Sequence, residues 1–479
     1  MASSTITTAC LIISIALLNS CSERRPQKEE KKPGLIMTIN RQKQTDTSLF
    51  EDFTAGSILD TVRIKDDLSL SYALYLPSGY SKERKWPVLF LLDSHARGRL
   101  AAETFRETAE KYGYILICSN NSKNGLSLET SMQITESMIN DAKKRLPVDG
   151  NRLSIGGFSG GSRAASNYAL NTGDIAAVIG CGAGFPRITE NLIIQFDYMG
   201  IAGREDCNLP EMMKLDTLLQ GGKIRHILSV FDGGHEWPSG EVIEDALLWL
   251  ETTSMKRNTI PKDDSLTTYI ARRFERRIAF AKQKSRTNEA DRMYTTLISY
   301  LDGLKDVSSY RKEQAKLRIS ETYTKDREGF RILLDHELSE QQRFFQSFFS
   351  KKPGWWQTEV GIIRKNSEKA GTPDEKASAK RLLGYMSLLA YTHAENAITS
   401  GQQGQAQRLL EIYRLVDPDN PDCYYLWAMH HTTAGRKSQA VASLKKAVEL
   451  RFTDFDKIRQ NHLLDPLKDD QEFIKILQQ

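Results

Sequence analysis

Residues 153–165 read LSIGGFSGGSRAA, and the fold turns on how that run is read. Its apolar start suits a buried strand, and the small residues after Ser159 suit the first turn of a helix. Gly157 and Gly161 fit a sharp strand-to-helix reversal in which side chains would crowd the backbone. Such a turn lifts the Ser159 hydroxyl above a sheet edge and aims the first helix amides at an oxygen bound beside it. A plain Gly/Ser turn has the same composition, so the flanking segments decide between the two readings.

Upstream, two strands are expected within 58–76, with Asp66 and Asp67 at the turn between them. The run Val88 to Leu92 reads as a buried parallel strand ending at Asp93, Ser94 and His95. A helix over 100–111, a strand over 114–118 and a helix over 128–146 follow, the last ended by Pro147 and Gly150. Downstream come strands at 175–180, 198–202 and 224–231, entering the loops CGAGFP, GREDCN and DGGHEWP. Helices are expected at 211–220 and 241–251. This alternation predicts an α/β domain over residues 50–255. Polar residues gather just past the strands, at 93–98, 119–125 and Ser159. In open α/β sheets that edge binds ligands.

A serine hydroxyl is a weak nucleophile at neutral pH, so it needs a base and a group that orients the base. His235 follows the last strand in a Gly-rich loop and is the leading base. His226, early within that strand, reads as a packed residue. Asp206 in GREDCN is the best-placed acid, with Glu205 and Asp232 as rivals. The Gly160 amide is the first candidate donor to an oxyanion. The second is expected from the 93–98 loop, with Ala96 ahead of His95. Phe158, Phe185 and Trp237 either line an apolar pocket or are ordinary packing residues.

The segments GFSGG, DSHARG, GREDCN and GGHEW together resemble the alpha/beta-hydrolase superfamily. The nearest branch is that of the polyhydroxybutyrate depolymerase, feruloyl esterase and dienelactone-hydrolase-like esterases. The resemblance covers about residues 60–255. It implies Ser159 as nucleophile, Asp206 as acid and His235 as base. It also implies hydrolysis of carboxylic esters through an acyl-enzyme, with no cofactor or metal. DSHARG departs from the family's H-G form, because Ala96 follows His95. The expected substrate is a small-molecule or saccharide-linked ester, such as a feruloyl, acetyl or other sugar- or polymer-linked one. The alternatives are a serine peptidase of the same superfamily and a protein-binding lipoprotein with an inactive hydrolase domain.

The 479 residues exceed one ordinary domain, and 40% hydrophobic with 27% charged residues excludes wholesale disorder. A net charge of +5 from nearly balanced acids and bases argues against a nucleic-acid partner. The apolar run at 9–18 is too short to span a membrane and leads into LLNSC. That segment resembles a lipoprotein signal peptide, which implies residues 1–21 as the signal and Cys21 as the lipidated residue. A bacterial cell-envelope protein, exported and lipid-anchored to a membrane, is then expected, with 22–49 as a polar tether. Of the other cysteines, Cys181 and Cys207 sit near strand ends, where a bridge between them is conceivable.

After residue 256 the strand pattern stops. Residues 256–386 read as helical, their charges marking solvated faces. Phe344, Phe345, Phe348 and Phe349 form an apolar stripe suited to core packing. Two segments align at a shift of 34 residues, Ala406 onto Ala440 and Leu410 onto Leu444. That period resembles tetratricopeptide repeats over 387–479, closed by a capping helix. Such an array binds a protein partner or braces its neighbour.

Overall fold

The computed structural model describes residues 50–187, 193–222, 224–369 and 371–478. The expected signal peptide, Cys21 and the whole tether lie outside the described residues.

Eight strands form one sheet: β1 (Ile58–Arg63), β2 (Ser71–Tyr75), β3 (Trp86–Leu92), β4 (Ile115–Ser119), β5 (Val148–Phe158), β6 (Ala177–Cys181), β7 (Asp197–Gly203) and β8 (His226–Phe231). Their order is β1-β2-β4-β3-β5-β6-β7-β8. β2 pairs antiparallel with both neighbours, and the remaining pairs are parallel. Five helices belong to this unit: α1 (Gly98–Tyr112), α2 (Leu128–Arg145), α3 (Gly160–Thr172), α4 (Leu209–Gly221) and α5 (Glu241–Lys256).

The strands β3, β4, β6 and β7 are buried throughout because both faces of the sheet are covered there. In β3, Leu89 and Leu91 pack with Phe105 of α1 and Leu247 of α5. Val88, Phe90 and Leu92 point the other way, into a core with Met138 of α2 and Ala165 of α3. This layering, with Ser159 at the turn from the central β5 into α3, is the alpha/beta-hydrolase architecture.

The rest is helical: α6 (Asp264–Gln283), α7 (Thr287–Leu301), α8 (Ser308–Arg318), α9 (Glu321–Phe348), α10 (Pro353–Lys369), α11 (Pro373–Thr399), α12 (Gln403–Val416), α13 (Pro421–Thr433), α14 (Lys437–Glu449), α15 (Phe455–Gln460) and α16 (Gln471–Leu477), with a short 3₁₀ turn at His462–Leu467. No helix among the described residues is long and apolar enough to cross a membrane. Helices α6 and α7 lie outside α5 and extend its core through Ile270, Phe274 and Leu297. Helices α9 to α16 form a separate core. Phe344 and Phe348 are buried in it, whereas Phe349 is exposed.

Two expectations change. The division at 386/387 falls inside α11, which has a capping box at Thr372 and Glu375 and runs unbroken to Thr399. No helix can therefore start a unit at Ser387. Helices α12 and α14 do keep the 34-residue offset, starting at 403 and 437. The aligned Ala406, Ala440, Leu410 and Leu444 are all fully buried. The charges of this half are also not all on wet faces, because Glu337 and Arg381 are buried.

Candidate active site

The turn at Ser159 is built by close backbone approach. A Cβ on Gly161 would lie 2.1 Å from the Leu92 carbonyl oxygen, and one on Gly157 would lie 2.4 Å from the Gly161 carbonyl. Ser159 itself takes φ 54°, a strained conformation for a residue with a side chain. Its amide donates to the Cys181 carbonyl at 2.8 Å, which ties the turn to β6. Gly160 heads α3, so its amide has no acceptor within the helix.

Three side chains from three loops converge there. His235 Nε2 lies 2.9 Å from Ser159 Oγ, and its Nδ1 lies 2.9 Å from Asp206 Oδ1. A carboxylate can only accept, so Nδ1 carries the proton and Nε2 is left to accept from the serine hydroxyl. Asp206 is fully buried, while the His235 side chain is 26% exposed. Asp206 Oδ1 also accepts from the Asn208 amide at 2.8 Å. The Asn208 side chain in turn donates to the Gly182 carbonyl at 2.7 Å. Gly182 has to be small: a Cβ there would meet the Phe158 ring at 2.8 Å and crowd Asp206 and His235.

The rival groups are engaged elsewhere. Glu205 pairs with Lys380 at 2.7 Å, and Asp232 pairs with Arg204 at 2.9 Å. His226 sits at the start of β8, against the Ile224 carbonyl and Asp216. Cys181 and Cys207 are free thiols in different cores, so the bridge considered between them is absent. Burial raises both thiols, and nearby Asp206 adds to the effect. Cys207 lies beside Asp206 and His235, but as a protonated thiol it is a poor metal ligand.

The loop after β3 is organised by Asp93, which the sequence reading passed over. Asp93 is fully buried and accepts from Arg97 Nε at 2.8 Å, Trp237 Nε1 at 2.8 Å and the His95 amide at 2.8 Å. Burial alone would raise its pKa; the Arg97 bond and charge, with the Trp237 and His95 bonds, outweigh that and lower it. Asp93 thereby joins the 93–97 loop to the histidine loop. Of the two expected donors, the His95 amide is held by Asp93 Oδ1, and the Ala96 amide lies a longer 3.2 Å from the Asp93 carbonyl. Ala96 takes φ 61°, a second strained residue at the site. His95 is exposed to solvent, yet surrounding protein lowers its pKa, as do the charges of Lys457 and Arg97. Lys457 belongs to α15, so the C-terminal helices come near this loop.

Of the two readings left open for Phe158, Phe185 and Trp237, packing is the one their contacts fit. Phe158 is buried under the site, its ring 4.8 Å from that of His235 and 5.4 Å from that of Trp237. Phe185 is a core residue against Phe196 and Tyr198. Trp237 is fixed by Asp93 and by an edge contact with Phe105. Asn124, also missed, has its Oδ1 where a Cβ on Gly160 would be, 1.7 Å from that point.

No family model matches the chain, and no curated protein matches its sequence. Solved structures resemble part of it. An S-formylglutathione hydrolase from Staphylococcus aureus is 13% identical over 41% of this chain and 98% of its own, at TM-score 0.34. An inhibited esterase B from Lactobacillus rhamnosis is 14% identical over 42% of this chain and 89% of its own, at 0.37. A ferulic acid esterase is 20% identical over 40% and 96%, at 0.34. No residue's role follows from likenesses this distant.

Proposed function

We propose that this chain is a serine carboxylic-ester hydrolase that works through an acyl-enzyme. The observation that carries the reading is the unbroken relay from Ser159 Oγ through His235 to the buried Asp206, each step 2.9 Å. Ser159 Oγ attacks the ester carbonyl while His235 Nε2 takes its proton. The resulting imidazolium is held by Asp206, and the oxyanion by the Gly160 amide. A second donor comes from the 93–97 loop, where Ala96 is the less firmly held amide. His235 then protonates the departing alcohol, and Ser159 is left acylated. A water deprotonated by His235 attacks the acyl carbonyl and releases the acid, restoring the serine.

The substrate class is a small-molecule or saccharide-linked carboxylic ester, such as a feruloyl, acetyl or other sugar- or polymer-linked one. Turnover of p-nitrophenyl acetate, acetylated sugars, feruloyl esters and aminopeptide substrates tests this. Esters are expected to lead and Ser159→Ala to remove all turnover. Faster cleavage of the peptides would replace the esterase reading with a peptidase one, and no turnover of any of them would favour the inactive, partner-binding alternative.

We infer also that the chain is exported and held at a bacterial membrane by a lipid on Cys21. This rests on the apolar run and LLNSC alone. Cys21→Ser should move the protein from the membrane to the soluble fraction, and unchanged fractionation would refute the anchor. The tetratricopeptide reading of α11 to α14, with a protein partner, likewise rests on the 34-residue offset.

A further inference from the structure

We propose that helices α9 and α11 hold the loop that carries Asp206, so that the helical half positions the acid of the site. The proposal rests on the serine-hydrolase reading above.

The acid loop is gripped at the carbonyls on either side of Asp206. Arg381 Nη1 donates to the Arg204 carbonyl at 2.7 Å, and Gln341 Nε2 donates to the Cys207 carbonyl at 3.2 Å. Arg381 is fixed from behind. Arg381 Nε and Nη2 donate to Glu337 at 2.9 and 2.6 Å, and Ser378 Oγ donates to the same carboxylate at 2.8 Å. Glu337 and Gln341 are four apart on α9, and Ser378 and Arg381 are three apart on α11, so each pair lies on one helix face. Cys207 is also part of the helical core, and a Cβ on Gly384 of α11 would lie 3.7 Å from its Cβ.

The Arg381–Glu337 pair is costly to keep. Its side chains are 1% and 0% exposed, and an apolar pair of similar volume often serves stability as well or better. Stability alone is a weak reason for two charges there. What an apolar pair could not supply is the donor to the Arg204 carbonyl. The loop matters to the chemistry because Asp206 Oδ1 must stay within reach of His235 while Oδ2 has no partner among the described residues. On the sheet side Oδ1 also accepts from the Asn208 amide, and the Arg204 and Glu205 amides donate to the Phe231 and Gly233 carbonyls at 2.7 and 2.9 Å, so the helical donors share the loop with these bonds.

The test uses the whole chain. Arg381→Met/Glu337→Met removes the grip without stranding a charge, and Gln341→Met removes the other donor alone. Arg331→Ala, on the exposed part of α9, is the control. Each is checked for thermal unfolding, for kcat and KM on p-nitrophenyl acetate, and for the low-field proton resonance of His235 Nδ1–H. The double variant is expected to fold, with kcat down about tenfold, KM within twofold and that resonance broadened or lost. Gln341→Met should show the same pattern at about threefold. The control should match wild type. A folded variant with unchanged kcat and resonance overturns the positioning role, as does a change in KM alone. If the double variant does not fold, Gln341→Met decides by the same two readouts. A wild type that neither turns over esters nor labels with a fluorophosphonate removes the serine-hydrolase reading, and this proposal with it; wild-type labelling with unaltered variants removes only the positioning.

Discussion

The sheet domain and the helical half place their decisive residues by different means. In the sheet domain, shape is set within a few residues. Ser159 is strained at φ 54° between glycines whose absent side chains let Leu92 and Asp93 come close. At the Asp206 loop, which the helical half touches, no described residue has a positive φ. There, Arg381 and Gln341 act at a distance of more than a hundred residues in sequence, through ordinary helix faces. On the proposed reading, local geometry makes the reacting group and long-range packing keeps its partner in place.

That contrast can be broken most sharply at Ser159. Ser159→Ala is expected to lower kcat by about 10⁵-fold with the fold intact. Ester turnover that survives would move the chemistry out of the sheet domain. Next is the acid. Asp206→Asn should cost about 10⁴-fold, because it disturbs the His235 tautomer. Glu205→Gln, whose partner is Lys380 in the helical half, should stay within about twofold, as expected for a partly exposed pair. The reverse ranking in a kinetic assay would make Glu205 the acid.

Stability should divide the same way. Gly161→Ala forces a Cβ to 2.1 Å from a backbone oxygen that cannot swing aside. A loss of about 3 kcal/mol in denaturant unfolding is expected. A neutral result would mean the turn is looser than its contacts imply.

The smallest effect sharpens the comparison by pH. Burial, with Arg436 and His430 adding, lowers His431 in α13 from 6.5 to about 4. The folded state therefore resists protonating it. Stability is unaffected above pH 6.5 and is lost as pH falls from there toward about 4, because the unfolded chain takes the proton first. Asp93 in the sheet domain is lowered below 3.8, so its contacts persist until the pH is lower still. Hydrogen exchange corrected for intrinsic rates should show α13 opening before β3 on acidification. His431→Gln should delay that opening, and simultaneous opening of both would contradict the difference.

The same contrast explains what could be read from the chain. The strand-helix alternation, the turn at Ser159 and the order of Ser159, Asp206 and His235 were legible because each is announced by its immediate neighbours. Asp93 was missed because its meaning depends on Trp237, 144 residues away. A carboxylate directly ending an apolar strand was the available signal. Phe185 was offered for a pocket because an aromatic residue in a loop looks alike from sequence whether it faces a cleft or a core. Glu337 and Arg381 were hidden among charges that mostly do lie on wet helix faces. Nothing local separates a buried pair from an exposed one at the same spacing.

The central claim is that Ser159 is a nucleophile activated by His235 and Asp206. The most direct measurement is mass spectrometry of the whole chain after reaction with a fluorophosphonate. One adduct on the peptide containing Ser159 is predicted, with labelling much slower in Asp206→Asn. An adduct on another residue, or none under conditions that label an active serine hydrolase, would contradict it.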